Sequence, residues 1–249
     1  MSKAIKTIVA IGGGEIGELD TLSIDKKIVA LVKKVKPKVL FIPTASNDAE
    51  GYCDTFQKVY SVKLHCQVDF LLLTKEKLTK KEIKQKILSA DIIYVGGGDT
   101  LKMLKIWRKQ NVDKILQQAY KKGIILAGIS AGAICWFRYG ISDVIKNPKN
   151  KKLFGRLTGM NILKNNITLS PHHTLRKGLG IESVKEIMTD TSGTCLSLDD
   201  TATLVIQNDH YQIWESKQNA KIRKLYYRQN KMLTTILNRS GNLTELTSQ

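Results

Sequence analysis

Long hydrophobic runs are missing from this chain of 249 residues. No apolar stretch reaches the roughly 20 residues a membrane-spanning helix needs, and Met1 to Ile11 carries lysines and a short apolar run without a cleavage-site pattern. A membrane protein and a secreted one are both disfavoured, and a cytoplasmic location is expected. Cysteine is scarce. The four present, Cys53, Cys66, Cys135 and Cys195, have no close paired spacing, so neither a zinc site nor a disulfide framework is indicated and the thiols are expected to be reduced. Proline numbers only four, and no Pro/Ser-rich linker or low-complexity block divides the chain, which predicts one catalytic domain over 1–216 and an extension over 217–249 that belongs to it.

Acidic residues are the minority charge, 22 against 40 Lys and Arg, a formal net charge of +18. Such a field draws in anions, nucleic acid among them. The lysines fall on the outer faces of helical repeats (Lys33, Lys34, Lys80, Lys81, Lys84, Lys86) and in one loop (Lys146, Lys149, Lys151, Lys152), without interleaved aromatics or a nucleic-acid motif, so nucleic-acid binding is the weaker reading.

What the chain does have is alternation of apolar strands with amphipathic helices. Thr7–Ile11, Val39–Ile42, Val68–Leu72, Ile92–Val95 and Ile124–Ala127 have the length and composition of buried parallel strands. Between them lie helical segments: Ile24–Val35 with Ser23 as N-cap, Thr55–Ser61, a capping box at Thr79-Lys80-Lys81-Glu82, Leu101–Trp107, and Val112–Lys121, capped by Asn111 and stopped by Gly123. A doubly wound α/β sheet, mostly parallel with helices on both faces, follows. The strand-like runs Leu204–Gln207, Tyr211–Ser216, Ile222–Tyr227 and Met232–Leu237 predict a small antiparallel addition at the C-terminus, ending in a polar tail.

The centre of this pattern is Gly128-Ile129-Ser130-Ala131-Gly132, a G-x-S-x-G turn between an apolar strand and a helix start. A serine on so sharp a turn projects its hydroxyl clear of the sheet, and a side chain at either flanking glycine would collide across it. Ser130 is the candidate nucleophile; the alternative is a turn that merely packs helix on strand. Gly96-Gly97-Gly98, at the carboxyl end of another strand, can present unobstructed N–H groups, and Gly98 with Ala131 are candidate donors to a tetrahedral oxyanion.

Histidine is as scarce as cysteine, with four in all, and only His172-His173 sit at a strand end, behind Ser170-Pro171. His172 is the candidate general base. A metal reading is disfavoured because neighbours on an extended segment point to opposite sides. The strand Cys195–Leu198 delivers Asp199-Asp200, and a carboxylate there can fix the imidazole tautomer; Asp200 comes first, then Asp199. Arg176, on the His172 loop, and Arg138, after the nucleophile helix, could hold an anionic substrate group. Tyr139–Asn161, basic and glycine-containing, has the composition of a flexible rim. Gly12-Gly13-Gly14-Glu15-Ile16-Gly17 formally satisfies G-x-G-x-x-G, but no helix opens on it and the next strand ends in Pro43-Thr44 instead of a carboxylate, so a turn approaching the active-site rim is preferred to a dinucleotide site.

Taken in order, GGGEI, IPTAS (Ile42–Ser46), YVGGGDT (Tyr94–Thr100), GISAGA (Gly128–Ala133), Ser142-Asp143 and SPHH (Ser170–His173) resemble the peptidase E / cyanophycinase family of serine peptidases across nearly all of residues 5 to 215. The resemblance implies a fold related to class I glutamine amidotransferases and peptide hydrolysis by a Ser-His-acid arrangement with no cofactor. It also implies a preference for aspartyl bonds. By position, Ser130 is similar to the family's nucleophile, His172 to its base, Gly98 and Ala131 to its oxyanion donors, and Asp200 stands where many relatives carry Glu. Asp99 stands where the family usually has Asn, which places a negative charge beside the oxyanion loop, and Asp143 corresponds to a family aspartate at the triad or the rim. The partner expected is a small peptide substrate; a homodimer is compatible with the sequence.

Overall fold

The computed structural model describes residues 4–146, 152–173, 181–188, 193–229 and 231–248. Its first half alternates as the apolar runs predict: β1 (Thr7–Ile11), α1 (Leu22–Ala30), β2 (Lys38–Ile42), α2 (Glu50–Gln57), β3 (Gln67–Phe70), α3 (Lys80–Ser89), β4 (Ile92–Val95), α4 (Thr100–Gln110), α5 (Val112–Lys121), β5 (Ile125–Ile129) and the short α6 (Ala131–Ile134). Strands β1, β5, β4, β2 and β3 lie side by side in parallel. Every residue of β1, β4 and β5 is buried because helices cover both faces. The pleat sends Ile8 and Ala10 into a core layer with Trp107 and Trp136, and Val9 and Ile11 into an opposite layer with Phe41, Phe56, Tyr60 and Tyr94.

Several local readings change. Helix α1 starts after Thr21, makes no side-chain cap and ends at Ala30, short of Val35. Helix α2 begins at Glu50 and passes into a π-helical turn over Lys58–Lys63. The Thr79–Glu82 capping box forms. Asn111 makes no side-chain cap to α5; it takes a left-handed conformation that closes α4.

The second half differs more. The expected rim is a hairpin of β6 (Tyr139–Lys146) and β7 (Lys152–Thr158), bulged between Asp143 and Ile145. With β8 (Ile167–Ser170), α7 (Ile181–Met188) and β9 (Thr194–Leu198) it founds a second sheet. The chain then returns to β1 through β10 (Ala202–Gln207) and β11 (His210–Glu215), both antiparallel, and adds β12 (Ile222–Arg228) and β13 (Lys231–Ile236) to the second sheet. Finally β14 (Ser240–Asn242) pairs with β11. The main sheet therefore runs β14-β11-β10-β1-β5-β4-β2-β3, and the second β13-β12-β9-β8-β6-β7. The tail is not simply polar: Leu246 is completely buried, and the ammonium of Lys224 donates to the carbonyl of Glu245 at 2.5 Å.

Candidate active site

Strands β1, β4 and β5 point their carboxyl ends at one place, the usual location of a site in an open α/β sheet. There β5 stops at Ile129 and α6 starts at Ala131, leaving Ser130 alone at the junction with φ 55° and ψ −113°. For a residue with a side chain such angles cost on the order of 1–3 kcal/mol. The neighbours hold it there: Ser130 N–H donates to Ile11 O at 3.0 Å, closing the turn onto β1. The flanking glycines are steric necessities. A Cβ on Gly128 would lie 2.3 Å from Gly132 O, and one on Gly132 would lie 2.1 Å from Val95 O.

His172 enters from the end of β8. Its backbone is also left-handed, φ 59°, and its N–H donates to Gly12 O at 3.2 Å. The ring lies between two partners, with Nε2 2.8 Å from Ser130 Oγ and Nδ1 2.5 Å from Asp200 Oδ1. With an ionised carboxylate at Nδ1, the hydrogen-bond pattern assigns the proton to that nitrogen and leaves Nε2 to accept from the serine hydroxyl. Asp200 sits on the turn after β9, which Thr201 N–H fastens to Gly13 O at 3.0 Å.

The glycines after β1 thus have a use other than phosphate binding. A Cβ at Gly13 would fall 1.7 Å from Asp200 Oδ1 and 2.4 Å from His172 Nδ1, so only glycine leaves room for that pair. Gly12 is equally constrained, by Asp199 O at 2.2 Å.

Beside the serine runs the loop after β4. A Cβ built on Gly97 would be 3.4 Å from Ser130 Cβ, and Gly98, at φ +136°, packs so tightly that its own would meet Ala45 O at 2.2 Å. Gly96 N–H donates to Ile42 O, Gly97 N–H reaches Tyr52 OH at 3.4 Å, and Asp99 N–H donates to Ala45 O. Among the described residues, Gly98 N–H and Ala131 N–H find no acceptor.

The remaining sequence candidates separate. The Asp99 carboxylate accepts from Lys102 N–H at 2.9 Å and caps α4, where a helix N-terminus favours negative charge. Arg138 is exposed and lies over the Tyr139 ring at 5.1 Å, with no hydrogen bond or ion pair to Ser130 or His172. Asp143 belongs to β6, but its side chain is outside the described part of the structure, and Arg176 lies outside the described residues altogether. His173 turns away from the serine to Ser197 Oγ, 2.8 Å from its Nδ1. Burial holds its pKa below the ordinary histidine value, helped by the charge of Arg223 and opposed by Asp199. Asp199, nearly fully buried, also turns away, to Arg223. Sequence reasoning missed Arg223, Tyr52 and the steric role of Gly13; the Gly12-Gly13-Gly14 run was the signal available for the last of them.

A cavity of about 340 Å³ adjoins the His172–Asp200 side, lined by Glu15, Asp20, His172, Asp200, Lys217 and Asn219 among others. Lys217 bridges to Asp20 at 2.6 Å, and that hydrogen bond is the main cause holding the Asp20 carboxyl below its usual pKa. Among the described residues no group of three or more His, Cys, Asp or Glu could hold a metal ion.

The chain as a whole has known counterparts. The family description "Peptidase family S51" matches residues 8–214. The chain belongs to peptidase family S51. It is 34% identical over 219 residues, 87% of this chain and 90% of the relative, to the uncharacterized peptidase YgaJ of Bacillus subtilis (strain 168). A stretch of 98 residues, 39% of this chain and 46% of the relative, is 35% identical to the uncharacterized peptidase Lmo0363 of Listeria monocytogenes. In fold it is similar to a peptidase from an acI-B1 Actinobacterium (TM-score 0.72, 20% identity, 97% of this chain and 98% of that one). A putative peptidase E protein from Listeria monocytogenes EGD-e is also similar (TM-score 0.64, 21% identity, 85% and 99%). Family membership makes the S51 chain a serine-type peptidase. No helix among the described residues is long and apolar enough to cross a membrane.

Proposed function

We propose that this S51 peptidase cleaves small peptides through an acyl-enzyme on Ser130, with His172 as general base and acid and Asp200 as the carboxylate that orients it. The observation that carries this reading is the single imidazole bridging a strained serine at 2.8 Å and a carboxylate at 2.5 Å. In the first step Ser130 Oγ attacks the scissile carbonyl while its proton passes to His172 Nε2, and Asp200 stabilises the imidazolium. The oxyanion settles between Gly98 N–H and Ala131 N–H, donors whose worth rises as charge develops on the oxygen. Collapse expels the amine, which takes the proton back from Nε2. Water, deprotonated by the same nitrogen, then releases the acid and restores the serine.

The substrate class we propose is a small peptide with an N-terminal aspartyl residue, as the family resemblance implies, drawn in by the +18 field. The four cysteines are free and buried, which fits a reducing, cytoplasmic setting. A dipeptide library assayed with the wild type and with Ser130→Ala tests the reading. Loss of the nucleophile should cost on the order of 10⁶ in kcat with the fold retained, and the wild-type serine should be labelled by a fluorophosphonate. A wild type that neither turns over a peptide nor takes the label would be an idle homologue.

A further inference from the structure

Of the two consecutive pairs Asp199-Asp200 and His172-His173, Asp200 and His172 meet each other beside Ser130, while Asp199 and His173 turn the other way, to Arg223 and Ser197. Asp200 and His172 form the site. Asp199 and His173 form a second polar layer behind it, and Arg223 is the cation of that layer.

Its contacts are well defined. Arg223 Nη1 donates to Asp199 Oδ1 at 2.6 Å, and Lys221 N–H donates to Asp199 Oδ2 at 2.9 Å. Asp199 N–H returns to Lys221 O at 3.0 Å, and Arg223 stands opposite Ser197 in the β9–β12 ladder. Ser197 in turn holds His173, whose N–H donates to Leu198 O at 2.9 Å. The Arg223 charge also bears on His173. The side chains of the ion pair are only 19% and 5% exposed, so the carboxylate is largely cut off from water and the guanidinium is its charged partner. Arg223 itself stands on β12, beyond residue 214 where the match to the family ends.

We infer that Arg223 is a positioning residue: through Asp199 it fixes the turn that carries Asp200, and thereby the imidazole of His172. The inference rests on the proposed roles of Ser130, His172 and Asp200. Ser197 and His173 resemble a second Ser–His pair, but Ser197 is completely buried and cannot meet a substrate.

Arg223→Met keeps an unbranched apolar stem and leaves the Asp199 carboxylate without its cation, while Arg223→Lys retains the charge. For each, the rate of fluorophosphonate labelling of Ser130 is measured as a function of pH, with the His172 Nδ1–H proton resonance followed by NMR. Arg223→Met should label on the order of 10- to 100-fold more slowly, the penalty expected of a misplacement of about 1 Å. Its pH profile should shift and the Nδ1–H resonance should broaden or vanish; Arg223→Lys should recover most of the rate and the resonance. Should Arg223→Met fail to fold, Arg223→Met combined with Asp199→Asn removes the unpaired buried charge and should show the same slow labelling and altered resonance. A folded variant of either kind with wild-type labelling, pH profile and resonance overturns the inference. If wild-type Ser130 takes no label, the peptidase reading fails, and the resonance alone decides: its loss in Arg223→Met supports the positioning role, its persistence overturns it.

Discussion

The residue on which the site turns sterically is Gly13, which has no side chain. Its Cα sits against the hydrogen bond between His172 and Asp200, and the space a methyl would fill is occupied by Asp200 Oδ1 at 1.7 Å and His172 Nδ1 at 2.4 Å. Gly13→Ala must push one of them aside. Its φ is not in the left-handed region, so the substitution strains contacts and not backbone. We expect a folded protein whose fluorophosphonate labelling is slower by on the order of 10²-fold, the cost of moving a reacting group by about 1 Å; labelling at the wild-type rate would show that the pair tolerates the intrusion. The two kinds of glycine differ in how visible they are in sequence. Gly128 and Gly132 are legible because the atoms they avoid, Gly132 O and Val95 O, belong to the turn and to the strand beside it. Gly13 avoids atoms roughly 160 and 190 residues away in sequence, contacts that tertiary structure alone makes. Strand alternation does not decide between His172 and His173 or between Asp199 and Asp200, because His172 is left-handed at φ 59° and Asp200 lies on a turn; the resemblance to the family's motifs is what favoured His172 and Asp200.

At the scale of elements, the parallel half was legible because its strands are buried on both faces and so appear as unbroken apolar runs. The hairpin at one edge of the second sheet was not. Tyr139–Lys146 and Lys152–Thr158 mix lysine, glycine and arginine with apolar residues, and Arg156 lies over the Tyr139 ring at 3.9 Å, so the hairpin takes on the composition of a loop. Helix α1 carries a feature that no periodicity announces. Its Asp25 is completely buried, accepting from Thr21 Oγ1 at 2.8 Å and from Tyr60 OH at 2.7 Å. Burial outweighs both hydrogen bonds and pushes its pKa up to about 6 from 3.8. Between those values the folded state keeps a proton that the unfolded chain has released, so this group's stabilisation is complete at low pH and is lost as pH rises to about 6. The loss is on the order of 3 kcal/mol. Asp25→Asn, which cannot ionise, should therefore lack this term: its Tm relative to wild type should rise between pH 4 and pH 7. A difference in Tm that does not vary across that interval would place the Asp25 pKa near its unfolded value.

At the scale of the whole molecule, the +18 charge is spread over exposed helical faces. Lys33, Lys80, Lys81 and Lys84 are exposed, while Lys34 and Lys86 pair with Asp91 and Asp69 at 2.6 and 2.7 Å. A field of this kind acts at long range and is screened over about 30 Å at 0.01 M salt but about 8 Å at 0.15 M. A fixed cation in the site acts at contact and is screened far less. The two origins of a preference for acidic peptides therefore part on salt. Close to the site the described charges offer an acidic side chain little: the Asp99 carboxylate is engaged by the α4 N-terminus, and the cavity beside His172 contains Glu15, Asp20 and Asp200 against Lys217. We accordingly expect steering by the field to be the larger share. The ratio of kcat/KM for Asp-X over Ala-X dipeptides should fall by roughly 3- to 10-fold between 10 and 200 mM salt, within the range that electrostatic steering supplies, with the change in the Asp-X value and the Ala-X value nearly constant. Ser130→Ala should abolish turnover of both at every salt concentration. A ratio that holds steady across the series, and collapses instead in Arg176→Ala, would assign the preference to a cation in direct contact with the substrate.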